Sequence, residues 1–334
     1  MTGEPVVLET MHGRGRVYPT GALLTEVSLK LGNGRWVTPL AEAPWAGVVQ
    51  PHEVPPHLHR LGGEFFCLPF GGGGTAVDPA PGYEAMAAGP VDHPMHGPAA
   101  NSTWAVVGHD PGSVTLALEL PEPFAVERLV RTIRIAADAP AIESGVLVQP
   151  RRKARVPAAF HPILRLPQTP HALQIDAGFA QGFTYPATLV PDRMLSRPGA
   201  RFAALDRIPG RHGGIADLSS VPPGGIVEDV VLMAGTHGPV RAHFRDEGFA
   251  LVIDWSRQHF PHCMLWLHDR ALDEPPWSGR FRGLGVEPMA ACFDGPWGLS
   301  AGDNPLARQG FATALDVDPG QDIEVWCRLS VESD

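Results

Sequence analysis

Short alternating runs broken by proline and glycine constrain this chain more than any other feature. In segment 114–120, Val114, Leu116, Leu118 and Leu120 fall on one side and Thr115, Ala117 and Glu119 on the other, and Pro121 ends the run. That is the period of a strand with one buried and one wetter face. Segments 102–107, 130–135, 142–148, 249–255, 263–267 and 323–329 read as further strands. HDPGS, DAPA, VPPGG and VDPG lie near them and supply turn residues. No regular helix-length apolar stripes intervene, so the pattern predicts an all-β antiparallel sandwich and not βαβ winding.

Composition removes the alternatives. The 38 glycines and 36 prolines among 334 residues follow no three-residue period, and 44% of the chain is hydrophobic, which excludes collagen and wholesale disorder. A formal charge of −10, from 26 Lys and Arg against 36 Asp and Glu, repels nucleic acid and anionic membranes over most of the surface. No run of 18 apolar residues occurs, and the N-terminus carries Glu4 and Glu9 where a signal peptide needs positive charge and then an apolar run. The expected location is the cytoplasm. Cys67, Cys263, Cys292 and Cys327 lack paired spacing and read as isolated buried thiols. Neither a repeat nor a linker divides the chain, so residues 1–334 are expected to form one domain with a loop-rich excursion at about 190–225.

Fifteen histidines are available for chemistry. His52, His57 and His59, followed by His93 and His96, sit among prolines and glycines, where loops form and sites concentrate. They lack the spacing of a zinc site, so no metal and no cofactor is expected. The Gly71 to Gly74 run has no following Lys-Ser/Thr and reads as a tight turn, or as a loop passing close to a ligand, and not as a phosphate loop. His96 precedes Gly97 and Pro98, and His161 precedes Pro162, so both imidazoles are held on turned or extended backbone. Two histidines converging on one ligand make an acid/base pair near neutral pH. Glu287, between Val286 and Pro288, needs a partner or a ligand if it is buried; it is either a base of raised pKa or the partner of Arg280 or Arg282. Trp104, Trp255, Trp266, Trp277 and Trp297 flank these regions and offer flat apolar faces to a sugar or to the core. Asp254, Asp269 and Asp294 are carboxylates available to orient hydroxyls.

LGGEFFCLPFG, HGPAANSTW, FHPILRLP and LGVEPMAACFDGPWG, in that order, resemble motifs of the aldose 1-epimerase (galactose mutarotase) family over about residues 15 to 330. The resemblance implies a large β-sandwich of the galactose mutarotase type, with a concave sheet that binds a monosaccharide. It implies that His96 contacts the sugar ring oxygen, that His161 is the general acid there, and that Glu287 is the general base at the anomeric hydroxyl. Substrate contacts are expected from Trp104, Asp254, Trp266, Asp269 and Trp297. The implied reaction interconverts the α and β anomers of a free monosaccharide by ring opening. A sugar-binding protein without activity, or a lyase or hydrolase on the same sandwich, is the alternative. In two places the chain departs from the family pattern. Ala100 stands where HG is often followed by an arginine, and LPFGGGG lacks the arginine of the preceding motif. Arg60 or Arg165 would have to supply those cations.

Overall fold

The computed structural model describes residues 3–51, 53–72, 76–89 and 93–334. The alternating runs become strands of one large antiparallel sheet. Its order runs through Phe66–Cys67, Ala158–Phe160, Arg282–Ala290, His262–Asp269, Val227–Phe244, Phe249–Trp255, Ile323–Ser333, Ala141–Pro150, Val126–Ile135, Ser113–Glu119 and Ala105–Asp110. A second sheet pairs Val6–Glu9, Gly13–Tyr18, Leu23–Lys30 and Trp36–Val37. The architecture is the all-β sandwich that the alternation and turn density predict.

The strand Val227–Phe244 decides how the large sheet turns. Residues 227–234 pair with His262–Asp269, and residues 240–244 pair with Phe249–Trp255. Gly235 and Gly238, with φ of 65° and 79°, occupy the change of partner, and left-handed backbone of this kind favours glycine. Leu173–Thr184 pairs along its other edge. Arg201–Phe202 and Ser220–Val221, from the Pro- and Gly-rich stretch, in turn pair with Leu173–Thr184.

The two faces of the sheet part the apolar residues into two cores. Val231, Cys263, Leu265, Leu267, Leu284 and Val286 point into one, and Val230, Leu232, Met264, Phe281 and Met289 into the other. One charged pair lies inside. Arg131 and Glu64 are 0% and 1% exposed and in direct contact. The same guanidinium donates to Ala22 O at 3.1 Å and to Ser144 Oγ at 3.0 Å, tying the large sheet to the second one.

All seven expected strands lie within four residues of their predicted limits, and Phe249–Trp255 coincides at both ends. The expected strand at 102–107 begins later, at Ala105–Asp110, because the short helix Gly97–Asn101 and its end at Ser102 take up the preceding backbone. Val227–Phe244 escapes an alternation search: its first eight residues are buried on both faces, so no polar side marks them. All four cysteines are buried and free.

Candidate active site

His161 and Glu287 face each other across one antiparallel pair. Ala159 opposes Met289 and Ile163 opposes Gly285; the register stays in phase between these points, which sets residue 161 against residue 287. Directly opposed side chains share a face of the sheet. Pro162 and Pro288 follow the two residues and lack the N–H that would continue the ladder. His161 N instead donates to Phe65 O at 2.9 Å, and its ring stacks on Phe65 with centroids 4.6 Å apart and planes at 20°. His161 Nε2 lies 3.4 Å from Glu287 Oε1.

Glu287 leans over a glycine. A Cβ on Gly285 would lie 2.4 Å from Glu287 Oε1 and 3.2 Å from Trp266 Cβ. Gly285→Ala is therefore expected to swing the carboxylate away from His161 and to cut any turnover at this site at least about tenfold. Near-UV circular dichroism should stay close to wild type, because the face opposite Gly285 keeps its packing. Full turnover in this variant would show that the Glu287 position does not matter.

His96 reaches the pair from a loop. Its φ is 64°, and its N–H donates to Gly71 O at 2.8 Å. Gly97 is required beside it, since a Cβ there would meet Leu68 O at 2.4 Å. Gly72 N also donates to Asp294 O at 3.0 Å. The described part of the glycine run, Gly71 and Gly72, thus ties the His96 loop to the Asp294 loop by backbone contact. The His96 ring stands edge-on to His161, with centroids 5.1 Å apart at 80°, and edge-on to His57 at 5.2 Å.

The opposite wall comes from the neighbouring strands. Glu228 pairs with His268 and Val230 with Trp266 in the sheet, so all four side chains share the face of Glu287. Trp266 Nε1 donates to Glu228 Oε1 at 2.8 Å, and Glu228 Oε2 contacts His268 Nδ1. Trp277 covers His268 with ring centroids 4.8 Å apart. Glu228, Trp266 and Trp277, with Met95, Met264 and Asp294, line a cavity of about 280 Å³, and His268 lies behind Glu228.

Burial governs the proton inventory. Glu287 is pushed well above the usual carboxylate range, first by burial and then by Asp294. Asp294 is raised by burial, against a hydrogen bond from Tyr185. Burial drives His161 down to about 3, and His57 down to about 4 against the Asn101 hydrogen bond. His96 is held well below 6.5 by burial and by His161 and His57. His96 Nδ1, His161 Nδ1, both Glu287 oxygens and Asp294 Oδ1 are buried without a hydrogen bond inside the protein. Apolar walls with a few convergent polar groups are the general make-up of a small-molecule site.

The structure brings His96, His161, Glu287 and Trp266 to this cavity. It places the other four expected substrate contacts elsewhere. Trp104 is 1% exposed and donates to Ala99 O at 2.8 Å, as a core side chain does. Asp254 is paired with Arg257 and accepts from Trp255 N. Asp269 is clamped between Arg282 and Arg270 at 2.9 and 2.8 Å. Trp297 donates to Arg155 O at 2.7 Å. Each has its polar atoms satisfied away from the cavity, which local sequence does not reveal. Arg282 is thus bound to Asp269 and not to Glu287, and Arg280 donates to Pro276 O. Arg60 lies over the Tyr18 ring and Arg165 pairs with Glu247, so neither brings a cation to the cavity.

Glu228 is a wall residue that sequence reasoning missed, as is His268 behind it, whereas Trp277 is one of the tryptophans singled out there. The one signal for Glu228 is an acidic pair opening the apolar run VEDVVLMA. His57 Nδ1–H donates to Asn101 Oδ1 at 2.9 Å and His59 Nε2–H to Val54 O at 2.9 Å; His52 lies outside the described residues. Among the described residues no group of three or more His, Cys, Asp or Glu is arranged to hold a metal ion, and no helix is long and apolar enough to cross a membrane.

The fold is that of aldose 1-epimerase and galactose mutarotase-like structures. A putative aldose 1-epimerase from Escherichia coli K12 superposes over 99% of both chains with a TM-score of 0.66 at 15% identity. A GalM/aldose epimerase homologue from C. elegans covers 100% of this chain and 99% of its own, with a TM-score of 0.66 at 13% identity. A galactose mutarotase related enzyme from Lactobacillus acidophilus covers 99% and 98%, with a TM-score of 0.60 at 12% identity. No protein-family model matches the sequence, and no curated protein matches it.

Proposed function

We propose that the chain is an aldose 1-epimerase, interconverting the α and β anomers of a monosaccharide through the open aldehyde. The observation that supports this best is the opposition of His161 and Glu287 at 3.4 Å on the floor of a ring-sized cavity. Opening a pyranose takes one proton from the C1 hydroxyl and gives one to O5 as the C1–O5 bond breaks. Rotation about C1–C2 and reclosure with the transfers reversed yields the other anomer. Two adjacent groups of opposite role do this without net proton exchange with solvent.

In the resting pair burial keeps the one shared proton on Glu287 and leaves His161 neutral. Sugar hydroxyls donating to the two unpartnered Glu287 oxygens favour the carboxylate, and transfer to His161 then makes Glu287 the base at O1 and His161 the acid at O5. His96 faces the ring oxygen and polarises it as charge develops. The extra carboxylates Glu228 and Asp294 are also what a glycoside-cleaving reading would need, but a cavity of about 280 Å³ suits one sugar ring better than a chain.

The test is two-dimensional exchange NMR between anomers across free and phosphorylated aldoses. Enzyme-dependent exchange supports the reading; binding with exchange at the spontaneous rate across the panel would replace it with a sugar-binding protein.

The pH dependence is a separate prediction. The active pair carries one proton: it gains a second only as pH falls toward the depressed value of about 3 at His161, and loses its own only as pH rises through the raised Glu287 value. The kcat/KM profile, which reports the free enzyme, is expected to show no break between about pH 6.5 and 5 and to fall below about pH 4. A steep decline between about pH 6.5 and 5, as an ordinary histidine gives, would contradict the assigned burial.

A further inference from the structure

We propose that the cavity selects an aldose bearing a free ammonium group, an amino sugar, over neutral and phosphorylated aldoses. This deepens the mutarotase reading and rests on it for the sugar ring. Three carboxylates, Glu228, Glu287 and Asp294, line the cavity, and no arginine or lysine joins them among the described residues. The residues outside the description include neither type. Glu287 is 0% exposed with both oxygens lacking a hydrogen bond, and Asp294 Oδ1 is likewise buried without one. The positions where cations are expected from the motifs hold Ala100 and glycines, and Arg60 and Arg165 are engaged elsewhere.

Such a site favours a cationic guest for two reasons. A buried carboxylate without a cation must keep a proton or lose much of its solvation, and an ammonium supplies the missing charge while donating to the free oxygens. Trp266 and Trp277 add indole faces, which attract cations more than neutral groups. A phosphate or carboxylate on the sugar meets no cation, because His57, His96 and His161 are held neutral by burial. The titratable groups facing the guest are those three histidines and the three carboxylates, with Tyr185 behind Asp294 and His268 behind Glu228. An ammonium that ionises a protonated carboxylate releases a proton, so binding is expected to liberate protons to buffer.

Titration calorimetry with D-glucosamine, D-galactosamine and D-mannosamine, each beside its parent hexose, its N-acetyl derivative and its 6-phosphate, tests this in two buffers of different ionisation enthalpy. At least one amino sugar is expected to bind about tenfold tighter than its parent and its N-acetyl form, with proton release, and the phosphates to bind weakest. In Asp294→Asn, and independently in Glu228→Gln, the ratio of amino sugar to parent affinity is expected to fall toward one. Circular dichroism checks that each variant is folded, and the second variant serves if the first is not. Equal affinity for amino sugar and parent, or tighter binding of a phosphate, overturns the proposal. Anomer exchange is measured separately on the same sugars. Exchange of neutral aldoses without amino-sugar preference leaves mutarotation standing and removes this inference; amino-sugar preference without exchange does the reverse.

Discussion

Glu287→Gln will lower enzyme-dependent anomer exchange by about 10²- to 10⁴-fold, the range that a positioned proton-transfer group contributes. Glutamine keeps the shape of the side chain in its fully buried site, so Trp266 and Met264 retain their packing against it. What it cannot do is release and regain the proton shared with His161 across 3.4 Å. The loss should fall on kcat, with KM changing less, because the other groups that hold the sugar ring are untouched. The variant is expected to unfold at a denaturant concentration no lower than wild type, since it removes a buried ionisable group. Exchange cross-peaks reduced by less than about threefold would remove Glu287 from the chemistry.

Arg131→Met will destabilise the protein by about 3–5 kcal/mol, measured by urea unfolding, which is the cost of breaking a buried ion pair by removing one partner. The guanidinium is fully buried and serves Glu64, Ser144 and Ala22 at once. Without it Glu64, already raised by burial despite Arg131, keeps its proton to still higher pH. A carboxylate of raised folded pKa binds more protons folded than unfolded, so its stability contribution is lost as pH rises. The deficit is therefore expected to be larger at about pH 8 than at about pH 5. Adding Glu64→Gln should recover part of it, and a single variant as stable as wild type at both pH values would show that the pair carries no load. Because Glu64 directly precedes the Phe65 that stacks under His161, Arg131→Met should also slow anomer exchange where the protein is still folded.

How much of the site was legible locally varies residue by residue. His96 and His161 stand beside Gly97 and Pro162, and those neighbours shape their backbone, but it is the resemblance of HGPAANSTW and FHPILRLP to family motifs that singles them out among fifteen histidines. Glu287 is legible for a local reason: a lone carboxylate amid apolar residues and proline must be paired or functional. Trp104, Asp254, Asp269 and Trp297 look equally suitable in sequence, yet each is satisfied by a partner, Ala99, Arg257, Arg282 and Arg155 respectively, which lies on another turn or strand. Glu228 and His268 are 40 positions apart and meet only because Val227–Phe244 pairs with His262–Asp269. No local pattern encodes that register.

The amino-acid order by itself determined the strand periodicity, the turns, the all-β architecture and the residues whose neighbours force an unusual backbone, because these depend on steric and hydropathic effects within a few residues. Tertiary structure decided which strands are adjacent, and with that the facing of His161 and Glu287, the carboxylate wall without a cation, and the removal of four plausible sugar contacts to the core and its margins. Those outcomes depend on pairing register and burial, and both are properties of segments brought together from separate parts of the chain.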